Sequence, residues 1–307
     1  MREKRLAALQ IGSSPLGTAA TLEKLLAWET RIADDKCDLV VMPEALLGGY
    51  PKGETFGAPI GFRLPEGRDA FAAYHAQAIS VPGPETEALE GLAARTGSVL
   101  VVGAVERSGA SLYCASLFID PAQGLVGHRR KLMPTGSERL VWGQGSAKDL
   151  KVMQASFGTI AAAMCWENYM PLLRYAFYSQ GIDIWCAPTV DERDLWQNSM
   201  RHIAGEARCF VVSACQVQPS PAELEREVAG WPADRKLING GSVIVSPMGE
   251  VLAGPAYGSE TLLTATVDLD EIVRARFDLD VVGHYSRPDI FTLEVAHGPT
   301  KIGAAGD

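Results

Sequence analysis

Short runs of branched aliphatic residues recur along this chain, with room for about one helix between most of them. DLVVM (38–42), SVLVVGAVE (98–106), GTIAAAM (158–164), CFVVSACQV (209–217) and SVIVS (242–246) are continuous rather than alternating. A strand with one face in water alternates apolar and polar residues, so a continuous run asks for cover on both faces. Further strands are expected at 5–11, 113–119, 183–187 and 261–269, and helices at 18–37, 66–79, 84–96, 168–180, 194–207 and 270–276. The order argues for α/β layers. With 307 residues the chain can bury a large core, and α/β folds of this size often form one unit. The expectation is one domain over residues 1–295 and an unstructured tail over 296–307, where GPTKIGAAGD offers nothing to pack. A polar insertion, 219–234, reads as a surface excursion or a lid.

Charge and cysteine usage narrow the chemistry. The net charge of -9 gives no support to a nucleic-acid or anionic-membrane partner, and no apolar run reaches the length of a membrane span. The start, MREKRLAALQIGSS, has too short an apolar stretch for a secretory signal and reads as a first strand. Cys37, Cys114, Cys165, Cys186, Cys209 and Cys215 form no C-x-x-C pair and lack zinc-ligand spacing to histidine, so reduced thiols in a cytoplasmic protein without metal are expected. There is no P-loop and no G-x-S-x-G, and Gly143-Gln144-Gly145 lacks the third glycine of a dinucleotide loop.

Three positions stand out as chemistry. In GTIAAAMCWENYMPLLRYAF the strand ends at Cys165 and a helical pattern follows, with Pro171 in its first turn and Gly181 as a stop. A thiol at a helix N-terminus is favoured as thiolate, and so as a nucleophile. Against that stands the ordinary case of a cysteine as a small buried hydrophobe. DLVVMPEALLGGYPKG puts Glu44 just past a strand end, where α/β proteins gather ligands; an exposed loop carboxylate is the alternative. In GLVGHRRKLMPTGSER, Lys131 closes a basic run that otherwise reads as a solvated charged face, and Glu138 follows within pairing reach.

Read together, the three segments resemble one family. PEALLGGYPKG, HRRKLMPTGSERLVWGQG and AAAMCWENYMPLLR are similar, in this order, to the glutamate, lysine and cysteine segments of the nitrilase superfamily. Trp166-Glu167-Asn168 after the cysteine resembles the true nitrilase branch, and DLWQNSMRHIAGEARCFVVSACQ, GGSVIVSPMGEVLAGP and ARFDLDVVGHYSRPDIF extend the likeness over about residues 5–293. The resemblance implies a four-layer αββα sandwich with no metal and no cofactor. It implies Cys165 as nucleophile, Glu44 as general base and then acid, Lys131 as stabiliser of the developing anion, and Glu138 as a further member of the site. Tyr50, Thr135, Trp166 and Pro188 match pocket positions. The implied reaction takes an organic nitrile and two waters to a carboxylic acid and ammonia through a thioimidate and a thioester. A nitrile or cyanide hydratase, or an amidase, would use the same site, and a non-catalytic scaffold would have lost the chemistry. The chain departs from the family pattern at Gly145–Asp149, where an acidic residue and a glycine are missing and Lys148 appears. Tyr50, Trp142, Trp166 and Trp196 suggest room for an aromatic or arylaliphatic substrate. Longer relatives carry a C-terminal extension linked to filaments; this chain ends soon after Val295, so a homodimer or small even-numbered oligomer is expected, meeting through the helices at 168–180 and 194–207.

Overall fold

The computed structural model describes residues 2–296, so all but the first residue of the expected tail lies outside the described residues. In chain order the elements are β1 (Glu3–Gln10), α1 (Thr18–Leu26), α2 (Glu29–Asp34), β2 (Leu39–Val41), α3 (Pro65–Gln77), α4 (Pro84–Thr96), β3 (Val99–Ser108), β4 (Ser111–Asp120) and β5 (Gly124–Arg130). The second half holds β6 (Met153–Ala155), β7 (Gly158–Ala162), α5 (Pro171–Tyr178), β8 (Ile184–Thr189), α6 (Asp194–Ala207), β9 (Phe210–Cys215), β10 (Val217–Gln218), β11 (Ile238–Val245), β12 (Val251–Tyr257), β13 (Thr261–Asp268) and α7 (Glu271–Ala275). Two sheets result. One is six-stranded, in the order β13-β1-β2-β3-β4-β5; the other is seven-stranded, β10-β11-β9-β8-β7-β6 with β12 beside β11. In each sheet the central strands run parallel: β1, β2 and β3 in the first, β7, β8 and β9 in the second.

The continuous apolar runs now have their cause. Leu6, Ala8, Leu39, Val41, Val99 and Val101 face Ile160, Ala162, Ile184, Phe210 and Val212 in the core between the sheets. Their neighbours in sequence point the other way: Ala7, Leu9, Val40, Leu100 and Val102 pack with Leu25, Ile32, Leu89 and Leu92 of the helices outside the first sheet. Ala161, Trp185 and Val211 pack with Leu173, Phe177, Trp196 and Ile203 of α5 and α6 outside the second. Helices, two sheets and helices again make the αββα sandwich, with every central strand dry on both faces.

Differences from the sequence reading fall where strands are wet or helices turn. The helix expected over 18–37 is two helices, because the chain turns at Ala27 and packs Trp28 against the core. β5, β6 and β12 went unrecognised. β12 is largely exposed and holds Pro255, and β5 lies at a sheet edge with few apolar residues, so neither carries the buried-strand pattern. Among the described residues no helix is long and apolar enough to cross a membrane.

Candidate active site

Carboxyl ends of strands from both sheets meet at one edge of the sandwich. Glu44 follows β2 by three residues. Its turn lies directly on β3: the N–H groups of Leu46 and Leu47 donate to Gly103 O at 2.9 and 3.3 Å. A Cβ on Gly103 would stand 2.0 Å from Pro43 O and 2.7 Å from Glu44 Cα, so only glycine admits this approach. Lys131 directly follows β5, its N–H donating to Cys114 O at 2.7 Å. Gly145, in the segment that departs from the family pattern, serves the same end. Its N–H donates to Lys131 O at 2.8 Å, and a Cβ there would stand 2.3 Å from Arg130 O. That segment buttresses the lysine from behind and does not line the cavity.

The side chains of Glu44, Lys131 and Glu138 are buried and converge. Lys131 Nζ donates to Glu44 Oε1 at 2.7 Å and to Glu138 Oε2 at 2.8 Å. Glu138 sits in the 3-10 turn Gly136–Leu140. Its Oε2 also accepts the Thr135 N–H at 2.6 Å, and its Oε1 accepts the Tyr50 hydroxyl at 2.8 Å. One ammonium thus stands between two carboxylates. Burial disfavours the charge on Lys131, but the negative groups around it, Glu44 foremost, outweigh burial and hold it well above the usual lysine range. Glu44 is the weaker partner. Burial pushes its carboxyl up to about 7, Lys131 offsets only part of that, and the Glu138 charge adds to it. Its Oε2 is buried without a partner in ordinary hydrogen-bond geometry; the Cys114 thiol donates to Oε1 at 3.7 Å, and the Cys165 thiol also acts on the carboxyl group.

Cys165 lies three residues beyond β7 and opens the 3-10 turn Cys165–Tyr169, with α5 starting only at Pro171. Its φ of 48° is left-handed, a conformation an L-residue holds only when its surroundings impose it. They do. Asn168 Nδ2 donates to Ala163 O at 2.9 Å and Cys165 O at 2.7 Å, while its Oδ1 accepts Trp185 Nε1–H at 2.7 Å. The sequence reading expected a helix end to lower this thiol. Instead burial, and then the Glu44 charge, push it well above the ordinary thiol range, against the smaller effects of Lys131 and Thr189. The group at rest is therefore held as a thiol, and the Glu44 carboxyl acts on it directly.

A cavity of about 340 Å³ opens onto Cys165. Tyr50, Thr135 and Trp166, which match pocket positions by resemblance, lie along it, as does Glu138. Pro188 does not: it is buried within β8, and Val190 and Asp191 just beyond take that place. Trp142 and Trp196 are also absent from the lining. Trp142 Nε1 donates to the Tyr74 hydroxyl at 3.1 Å, and Trp196 is a core residue donating to Ser213 Oγ at 3.0 Å. Trp231 from the polar insertion and Arg235 just after it also line the cavity, with the Arg235 guanidinium 4.4 Å and Lys52 Nζ 5.1 Å from the centre of the Trp231 ring. Arg226 ties the insertion to Glu54 at 2.6 Å.

Sequence reading missed the pair that locks the lysine and cysteine segments together. Arg129 donates bidentately to Glu167, Nη2 to Oε1 at 2.7 Å and Nη1 to Oε2 at 2.8 Å, and Nη1 also reaches Ala162 O at 3.0 Å. Glu167 further accepts the N–H of Leu132 on Oε1 and of Met164 on Oε2, each at 2.7 Å. Burial raises the Glu167 carboxyl, but Arg129 and these two N–H groups prevail and hold it below the usual range. Thr189, whose hydroxyl reaches Cys165 Sγ, was also missed.

Comparison with known proteins bears on the whole chain. The pattern of the carbon-nitrogen hydrolase family matches residues 5–277. A protein named nitrilase blr3397 from Bradyrhizobium diazoefficiens is 49% identical over 300 residues, covering 97% of this chain and 93% of its own. An aliphatic nitrilase from Sinorhizobium fredii is 49% identical over 302 residues, covering 97% of each. The crystal structure of Nit3 from Saccharomyces cerevisiae, a member of branch 10 of the nitrilase superfamily, superposes with a TM-score of 0.70 at 19% identity, covering 92% of this chain and 96% of that one.

Proposed function

The chain belongs to the carbon-nitrogen hydrolase family, and on that premise we propose that it is a nitrilase that converts an organic nitrile and two waters to a carboxylic acid and ammonia. The observation that carries this reading is the buried meeting of Glu44, Lys131 and Glu138 beside Cys165, with Glu138 and Cys165 opening onto one cavity. In this reading residues 1–295 act as one hydrolase domain.

The chemistry follows from the protonation states. A carboxyl poised near neutrality can both accept and return a proton. Glu44 takes the Cys165 proton as sulfur adds to the nitrile carbon, then passes it to nitrogen, leaving a thioimidate. Glu44 next deprotonates a water, which adds to that carbon and gives a tetrahedral centre carrying sulfur, hydroxyl and amino groups. Protonated nitrogen leaves as ammonia and a thioester remains. A second water, activated in the same way, releases the acid and returns the thiol. Lys131 lies where charge develops, and the Trp166 N–H belongs to the first turn of a helix, where no intrahelical acceptor exists. Glu138 and the Tyr50 hydroxyl keep Lys131 aimed at Glu44.

The reading extends to setting and assembly. Six free, buried cysteines suit the reducing cytoplasm, which cell fractionation would test. Leu172 (71% exposed), Tyr175 and Leu195 (56% exposed) give α5 and α6 an outward apolar face suited to a twofold contact between copies, which light scattering reads as a dimer or small even-numbered oligomer. Phe177 belongs to the core and takes no part in that face.

Aliphatic, aromatic and arylacetic nitriles, assayed for ammonia, acid and amide, test the activity. Acid with equimolar ammonia is expected, together with a Cys165 adduct in intact-protein mass spectrometry that is lost in Cys165→Ala. Undiminished turnover by Cys165→Ala would overturn the assignment.

A further inference from the structure

Thr189 ends β8, the strand beside the one that leads to the nucleophile. It is wholly buried, and its Oγ1 lies 3.4 Å from Cys165 Sγ. The same oxygen accepts the Asp191 N–H at 3.0 Å. That second contact decides where the hydroxyl proton goes. A hydroxyl has a single proton to give, and with an amide N–H filling one side of the oxygen, the O–H turns to the acceptor on the other side, the sulfur. Asp191 is itself fixed. Its Oδ1 accepts Arg193 Nε at 2.8 Å and the Arg193 N–H at 3.1 Å, and its Oδ2 accepts Arg193 Nη2 at 2.5 Å and Trp166 Nε1 at 2.9 Å.

We propose that Thr189 is a catalytic residue, a fixed hydrogen-bond donor that stabilises Cys165 sulfur whenever it bears negative charge, and that it thereby sets how much amide is released beside the acid. This rests on the reading of Cys165 as a nitrilase nucleophile. Sulfur carries charge when its proton passes to Glu44 and it attacks the nitrile carbon, and again whenever a C–S bond breaks. The tetrahedral centre made by the first water can break either of two bonds. If C–N breaks, ammonia leaves, a thioester remains and a second water gives the acid. If C–S breaks, sulfur departs with the electron pair and regains a proton from Glu44, and the amide is released with one water consumed and no ammonia. A donor on sulfur makes it the better leaving group. Thr189 therefore favours the amide branch at this point, and it speeds the last step of the acid branch, which also breaks C–S.

The test uses the full-length protein with Thr189→Val, which keeps the shape and removes the donor, and Thr189→Ser, which keeps the donor. Thr189→Ala carries the same expectation as valine should valine disturb the packing, and thermal melting shows which variants are folded. Alkylation of Cys165 by iodoacetamide, followed by peptide mass spectrometry across pH, reads the sulfur directly. Glu44, Lys131 and Glu138 act on that sulfur, as do Tyr50, Tyr169, Arg193 and Cys215, and all are unchanged in the variants. Loss of a charge-assisted hydrogen bond should slow alkylation near neutrality about tenfold and move its midpoint up by about one pH unit, with serine restoring both. The amide-to-acid ratio from a good nitrile should fall in Thr189→Val and recover in Thr189→Ser. Wild-type alkylation in Thr189→Val would overturn the donor role. An unchanged ratio, or a wild type that releases no amide, would overturn the control of products. Alkylation needs no nitrile. A wild type that turns over none, yet alkylates in a Thr189-dependent way, would refute the nitrilase reading and leave the hydrogen bond standing.

Discussion

Two buried cations stand two residues apart at the end of β5, and each is paired with a glutamate, yet they do opposite things. Arg129 meets Glu167 in a pair where each carboxylate oxygen takes one guanidinium N–H and one backbone N–H. Lys131 meets Glu44 in a pair where one carboxylate oxygen has no ordinary partner and a second carboxylate, Glu138, competes for the same ammonium. Burial is the same in both. The outcomes differ because donors per carboxylate differ: Glu167 is held below the usual range, while Glu44 is pushed up from it. A saturated pair fixes geometry, whereas an undersupplied one keeps a proton within reach.

Removing one partner of the saturated pair should give the largest effect. Arg129→Met leaves Glu167 buried without its counter-charge and should cost about 3–5 kcal/mol, read from the midpoint of denaturant unfolding. A loss under about 1 kcal/mol would mean that the pair does not lock the two segments. Glu44→Gln should instead leave the fold intact by circular dichroism and cut nitrile turnover at least about a hundredfold, as loss of a general base does. A variant that melts like Arg129→Met, or that keeps its rate, would erase the contrast. The smallest effect is in the pH dependence of stability, and its signs are opposite for the two pairs. The Glu167 pKa is lowered on folding, so its contribution is fully present above the unfolded carboxylate range and is lost as pH falls through the folded value. The Glu44 pKa is raised to about 7, so between the ordinary carboxylate range and that value the folded state holds more protons than the unfolded one. Stability from this group therefore falls as pH rises through that window. Melting temperatures from pH 5 to 8 should show this downward component in wild type and not in Glu44→Gln.

How far the sequence spoke follows from the same pairs. Glu44 and Cys165 were legible because each follows a strand end, and those strand ends are written locally in runs such as DLVVM, whereas Lys131 and Glu138 stood out through the likeness of HRRKLMPTGSER to a family segment. Arg129 was not, because HRRK reads as one solvated cluster. In the structure strand alternation splits it, His128 and Arg130 toward the outside, Arg129 and Lys131 inward. That period of two was legible only to a reader who knew that GLVGHRR is a strand, and its few apolar residues hide it. Thr189 carries no mark at all, since its meaning lies in a sulfur on the neighbouring strand. Pro188 was placed in the pocket by resemblance and Trp196 by type, whereas β8 and α6 turn both into the packed interior. The thiol was misjudged because a helix end was weighed without the burial around it.

Glu44, Lys131 and Glu138 come from the first sheet and its connections, Cys165 and Thr189 from the second. The proposed reaction path therefore crosses the seam between the two halves of the sandwich, and in that mechanism neither half alone holds both a nucleophile and its base. A chain with one sheet formed has no fraction of the activity to show. During refolding, the return of turnover would time the docking of one sheet on the other rather than the appearance of secondary structure, so that catalysis serves as a clock for the last large packing event of the fold.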